Sequence, residues 1–407
     1  MVSALLNLGL TVTRNIPPEV MIGLITGQYK MYGGVIRWAA GTPQAGQIVV
    51  HLVSTVTQPA FTPLFTPITT ILGAVNTYQL HKLAGNVNQL TVLTQQVLQM
   101  ATTTAVLSGL GLVVSAASFV VLNQKLNNID QKLNEIQKDV KEVKDFLHLK
   151  QRAELTAVLG KLINLENIPS RHHSDILLNA EAVLAPLCLQ YQELLTQANN
   201  VEMAMIAEEY FCTTTLAHVR CQAELGITGV GRQLNEAKKV WQTQTQRIAK
   251  DIVLGKSPER FLSSDFVADV PSSILIEWLD FAYNENKGYG WIDELRSNTK
   301  PWYPEKNTLA QRAKFATSQV ITAPTKLFTK QSEMDKERNL FIPSIQKLVA
   351  RNNVLEGYVM QHEMLESHKI TPSELEKEIA QIPAESTVDG YVVLQPTEAN
   401  KKSSWFW

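Results

Sequence analysis

The sequence has 407 residues, with 37 Lys and Arg against 38 Asp and Glu and a formal net charge of −1. That balance excludes a global basic field for nucleic acid, and the length suffices for two or three domains with cores of their own. Charged residues are 18 % of the chain, and residues 1–124 carry only Arg14, Glu19, Lys30, Arg37 and Lys82, where an ordinary soluble domain has about thirty charges.

The start, Met1–Leu10, lacks the basic region of a signal peptide and points to synthesis in the cytoplasm. Residues 33–40 and 47–53 read as two strands around the turn cluster Gly41–Gly46, so a small α+β unit with a β-hairpin is expected over 1–60. Within it Tyr29, Lys30, Tyr32, Arg37 and Trp38 combine cations with aromatic rings. Such a set can stack bases and pair phosphates of a single strand; ordinary surface decoration of a small hairpin is the plainer reading of the same residues. Pro59, Pro63 and Pro67 forbid a regular helix there.

Residues 61–150 form the next expected unit. Forty-two residues without a charge separate Lys82 from Lys125. Ala101–Leu122 is the apolar half of that stretch and, as a helix of about 33 Å, matches bilayer thickness. A buried helix inside a bundle fits the same composition. Leu122, Leu126, Ile129, Leu133, Ile136, Val140, Val143 and Leu147 then alternate four and three apart, a coiled-coil heptad. Leu at a and Ile at d favour more than two strands, which predicts a homo-oligomer, a tetramer by preference. A long hairpin packing on later helices of the same chain is the alternative. Carried backwards, the register puts Ala101, Ala105, Ser108, Leu112, Ser115 and Phe119 on one face. Small and hydroxyl residues suit either close packing or a narrow pore lined by Ser108 and Ser115 and constricted at Leu112 or Phe119. Lys125 and Lys132 follow the apolar stretch, so the positive-inside tendency puts the C-terminal region in the cytoplasm of an inner-membrane protein.

Residues 151–300 read as a helical domain broken at Pro169, Gly226 and Gly255. Ser257-Pro258-Glu259 is a helix start. The last expected unit, 301–407, is a C-terminal helical region whose first part, 301–330, reads as loop. Phe341, Ile345, Leu348, Leu355 and Val359 mark an amphipathic helix interrupted at Asn352. Thr371-Pro372-Ser373-Glu374 is a capping box, Gly390–Leu394 a short strand, and Lys401–Trp407 a mobile tail whose aromatic end suits a groove or a membrane interface. The fold class is therefore mainly α, with a long apolar helix continuing into a coiled coil.

No catalytic constellation is visible, which argues against an enzyme, and no cofactor or metal is implied. His172-His173 with Asp175 has no partner cluster at ligand spacing. His362 and His368 lack the i, i+4 relation that shares a zinc ion. Gly226–Arg232 lacks the Lys-Ser/Thr of a phosphate loop and reads as a helix break. Cys188, Cys212 and Cys221 are an odd, scattered set that suits buried thiols in a reducing compartment.

Two stretches carry a resemblance. Gly27-Gln28-Tyr29 through Gly33-Gly34-Val35-Ile36-Arg37 to Ile48-Val49-Val50-His51-Leu52 is one, and Gly109-Leu110-Gly111 through Leu122 into the heptads of Lys125–Phe146 is the other. Their layout resembles bacterial phage-defence membrane effectors, in particular Hailong-type channel subunits. The resemblance implies an oligomeric ion channel that depolarises the inner membrane. It also implies control by a single-stranded DNA oligomer made by a partner nucleotidyltransferase. A soluble coiled-coil scaffold and a secreted α-helical pore-forming toxin are the rival readings of the same pattern.

Overall fold

A computed structural model describes residues 9–13, 15–54, 149–262, 270–298, 324–383 and 391–397, together with 94, 95, 97–99, 101, 102, 104, 105, 108, 122, 126 and 127. Over these residues the chain is mainly helical with one small antiparallel sheet. It divides into two compact units, residues 1–244 with 350–407, and residues 245–349.

The sheet of the first unit joins the two ends of the sequence. Strands β1 (Leu10–Thr13), β2 (Tyr29–Tyr32), β3 (Val35–Trp38), β4 (Ile48–Ser54) and β5 (Tyr391–Pro396) lie in the order β1-β5-β4-β3-β2. All pairings are antiparallel, with Thr13 opposite Val393 and Leu52 opposite Val393 on its other side. The expected hairpin is present as β3 and β4, and the expected C-terminal strand is β5. Gly33 and Gly34 are not strand residues. With φ of 54° and 92° they form the two-residue reversal between β2 and β3, which needs positive φ at both positions. A side chain at Gly33 would put its Cβ 2.8 Å from Cα of Val354. Glycine therefore serves both the turn and the close approach.

Helix α1 (Pro18–Ile25), started by its proline, lays Val20 and Met21 on this sheet. The core beneath combines Ile16, Ile36, Val50, Leu52 and Val393 with Val97, Leu98, Ala101 and Ala105. Thus Ala101 and Ala105 of the uncharged stretch are buried against the sheet, and the hydroxyl of Thr102 meets the Tyr391 phenol at 2.6 Å.

Four helices follow: α2 (Leu149–Ile163), α3 (His173–Gln197), α4 (Val201–Glu224) and α5 (Val230–Arg247). Asn200 caps α4, its side chain accepting from the Met203 amide at 2.8 Å. Nineteen of the 24 residues of α4 are buried, so it has no solvent face and makes the helical centre of the unit. Gly226 and Gly229, both at positive φ, break the chain between α4 and α5 as expected.

In the second unit α5 runs on into a π-helical stretch, Ile248–Leu254, followed by a short 3₁₀ turn at Pro258–Leu262, where the helix start was expected. Helices α6 (Ser272–Tyr283) and α7 (Gly290–Asn298) complete it. Phe261 meets Trp278 edge-on at 5.9 Å. Asp280 ties the α6–α7 corner by accepting from the Trp291 indole at 2.8 Å and the Lys287 amide at 3.0 Å.

Helix α8 (Pro324–His368) is longer than its expected outline. It begins inside the stretch read as loop and passes Asn352 unbroken. Ile345, Leu348, Leu355, Tyr358 and Val359 are buried along it, and that seam outweighs the fraction of a kcal/mol by which an asparagine disfavours helix. Helix α9 (Pro372–Ala380) carries the complete Thr371–Glu374 capping box.

No helix among the described residues is long and apolar enough to cross a membrane. This corrects the expectation of a transmembrane pore or ion channel in the inner membrane. The physical reason lies in Ala101, Ala105 and Ser108, which are buried in protein rather than presented to lipid or to a pore axis. Leu112, Ser115 and Phe119 lie outside the described residues. Leu122 and Leu126 have 0 % exposure within the single chain. The remaining heptad positions, Ile129, Leu133, Ile136, Val140, Val143 and Leu147, lie outside the described residues, as does Lys401–Trp407, and a continuous apolar helix leading into a coiled coil is not shown.

His51, in the middle of the sheet, is buried, and burial lowers its pKa to about 4. The unfolded chain takes up this proton near the ordinary value of 6.5 while the folded chain refuses it. Stability is therefore complete above about pH 6.5 and falls as pH drops toward 4. The melting temperature should fall between pH 7 and pH 5, a range in which exposed carboxylates stay ionised, and His51→Leu should flatten that fall; equal slopes would contradict it.

Candidate functional site

Arg351 on α8 is a fully buried charged group of the first unit, its side chain having 0 % exposure. An arginine stays charged in a protein, so each of its donors needs an acceptor once water is excluded. Nε and Nη2 both donate to the Ser108 carbonyl, at 2.9 and 2.6 Å. Nη1 is paired with Glu208, and Nη2 reaches Glu209 at 3.1 Å. Glu208, also without exposure, further accepts from the Trp241 indole at 2.8 Å and from the Cys212 thiol at 3.2 Å. Burial acts against the guanidinium charge, but Glu208 outweighs it and the pKa of Arg351 lies above its ordinary value. One ionic knot thus ties the uncharged stretch, α4, α5 and α8.

A second knot sits toward the C-terminal end of α4. Arg220, 4 % exposed, pairs with Glu224 and bidentately with Glu376 of α9, at 2.8 and 2.9 Å, and reaches the Ser373 hydroxyl at 3.1 Å. Glu224 accepts from the amide and the hydroxyl of Ser373 at 2.9 and 2.7 Å. His362 is buried one turn beyond Tyr358 on α8; burial, and then the Arg220 charge, lower its pKa to about 3. Elsewhere on α4, His218 and Gln222 both reach Glu181 of α3, at 3.0 and 3.2 Å. The hydrogen bond from His218 holds that carboxyl below its usual range.

The five hairpin residues proposed for a ligand fall on β2 and β3, but their polar and aromatic groups engage one another and α8. Arg37 donates to Glu356 at 2.9 Å and lies over the Tyr32 ring at 4.2 Å. Lys30 also stands over Tyr32, and Tyr29 packs edge-on against Trp38 at 4.7 Å. Glu356 further pairs with Lys238 of α5. Burial opposes its ionisation, yet the two cations hold its pKa below the usual carboxylate value. The Arg37 charge is consequently matched at home and joins the sheet to α5 and α8.

The remaining chemical groups stay apart. Among the described residues no three or more His, Cys, Asp or Glu side chains are placed to hold a metal ion. Burial pushes the Cys188 and Cys221 thiols up to about 12, which removes thiolate reactivity at neutral pH. His173 contacts the Ile168 carbonyl at 2.7 Å, at the start of α3. A cavity lined by Phe211, Cys212, Leu234, Trp241 and Leu355 has a volume of about 10 Å³, room for one water at most.

Sequence reasoning missed both arginine knots. Arg351 and Glu208 are 143 positions apart, so no local spacing couples them. The available signal was an arginine within an apolar helical seam, one turn after Leu348, and a Glu208-Glu209 pair in a helix otherwise rich in Ala, Met and aromatic residues. Compared with family models, curated proteins and solved structures, the chain matches none of them.

Removing one partner of a buried ion pair leaves the other charge uncompensated, at a cost of about 3–5 kcal/mol. Arg351→Met should lower the stability measured by urea unfolding by about that much. Combining it with Glu208→Gln should recover part of the loss; strictly additive losses would refute the coupling.

Proposed function

We propose that this chain is a non-catalytic helical scaffold that associates with further copies of itself through the heptads beyond Leu126. The reading rests on where its charges go. Arg37, Arg220 and Arg351, which could meet a substrate or a phosphate, are each matched by carboxylates of the same chain. What the sequence leaves for a partner is the apolar row Ile129, Leu133, Ile136, Val140, Val143 and Leu147. A rigid unit built on internal ion pairs, carrying a heptad segment, has the design of an assembly platform. Leu122 and Leu126, buried at home, anchor the start of that segment to its own unit, so association is assigned to the later heptads.

Light scattering in detergent-free buffer tests the reading. The wild-type mass should be two or more times the 45.4 kDa of one chain. Ile129→Asp combined with Ile136→Asp should reduce it to one chain mass, with the melting temperature of the first unit retained. A monomeric wild type, or an unchanged oligomer in the variant, would overturn the assignment.

A further inference from the structure

The strand at the C-terminal end of the described chain lies inside the sheet, second from one edge. β5 separates β1 from β4; with it absent β4 would keep β3 and present a bare edge, and the edge strand β1 would be left without its strand partner. Its ladders join residues very far apart in sequence: Thr11 donates to the Gln395 carbonyl across 384 positions, at 3.3 Å, and the Thr397 amide donates to the Gly9 carbonyl at 2.7 Å. Val392, Val393 and Leu394 are at most 2 % exposed. Val393 packs into the core with Ile16 and with Val50 and Leu52 of β4, while Val392 and Leu394, opposite Val53 and His51, are buried on the other face of the sheet.

We propose that the place between β1 and β4 is a strand receptor, and that β5 of a second copy of this chain can occupy it in place of the chain's own. The partner it fits is an extended segment with the pattern Tyr-Val-Val-Leu-Gln-Pro. Backbone hydrogen bonds on both edges give such a segment its affinity and the buried apolar side chains give it register. Three features support exchange. The contacts of β5 with β1 and β4 are made to residues that every copy carries, so a second copy reproduces them without new chemistry. Ten residues lie between Ala380 of α9 and Tyr391, a tether that spans up to about 35 Å when extended. Finally, α9 has its own attachment through Arg220 and Glu224, so β5 can leave while α9 stays seated. The open edge of β4 beside the apolar core, with β1 unpaired, strongly favours recapture of a strand. The exchange does not depend on the heptads and adds a second route to self-association.

The test uses the register, in which Thr11 lies opposite Gln395. Both substitutions in one full-length chain, Thr11→Cys with Gln395→Cys, should give an internal disulfide on mild oxidation. Failure of that bond would remove the register on which the proposal stands. Two differently tagged copies, one bearing Thr11→Cys and the other Gln395→Cys, are then co-expressed and oxidised, with Ile129→Asp and Ile136→Asp present in both. Exchange predicts a mixed disulfide dimer carrying both tags, several-fold above the dimer formed by either variant alone. Efficient internal crosslinking of the double variant, with no mixed dimer from the two copies, would overturn it. Because the heptad substitutions are present throughout, loss of the heptad assembly and absence of strand exchange are read separately.

Discussion

Arg351 imposes the condition that organises the first unit. A guanidinium has five donors and no neutral form to fall back on, and at 0 % exposure water satisfies none of them. The chain must bring acceptors from remote segments: the Ser108 carbonyl, the Glu208 carboxylate and the Glu209 carboxylate. Glu208 in turn gathers the Trp241 indole and the Cys212 thiol. Four stretches of sequence are therefore fixed at one point. This explains why α4 has no solvent face: the carboxylate that neutralises Arg351 has to sit at the centre of its helix packing, where the pair is shielded. Ion pairs of this type add little net stability over a well-packed apolar core, but they penalise every arrangement that separates the partners. The same logic applies at Arg220, which fastens α9, and at Glu356, which collects Arg37 and Lys238.

Much of the architecture was legible where a residue acts on its neighbours. The turn cluster Gly41–Gly46, the Thr371–Glu374 capping box and the glycine break at Gly226 depend on local backbone chemistry, and each appears where that chemistry puts it. The π-helical stretch after α5 and the extent of α8 were not legible. The π-helical stretch is buried at Ile248, Ala249, Val253 and Leu254, and around Asn352 burial of the flanking seam overrides that residue's modest preference. β2 was missed because Gly33-Gly34 reads as the start of a strand and is in fact the reversal between two strands. The sheet order was beyond local reading altogether, since β5 pairs with strands more than three hundred residues earlier.

The scarcity of charge before Lys125 is a sound observation with two physical outlets, lipid and protein interior. At Ala101, Ala105 and Ser108 the outlet is protein interior, with the sheet core on one side and a buried arginine on the other. Small side chains let backbones approach in either setting, so composition was silent between them. The deciding partner, Arg351, is 243 positions further along.

The insertion of β5 between β1 and β4 also sets a timetable. Ribosomes add about 5–20 residues per second, and 384 positions separate Thr11 from its partner Gln395. The first strands to emerge therefore wait on the order of 20–80 s before their neighbour exists. During that interval a nascent chain with few charges before Lys125 carries β1 unpaired and β4 with one open edge, and its safe maturation depends on whatever shields them until β5 has been made.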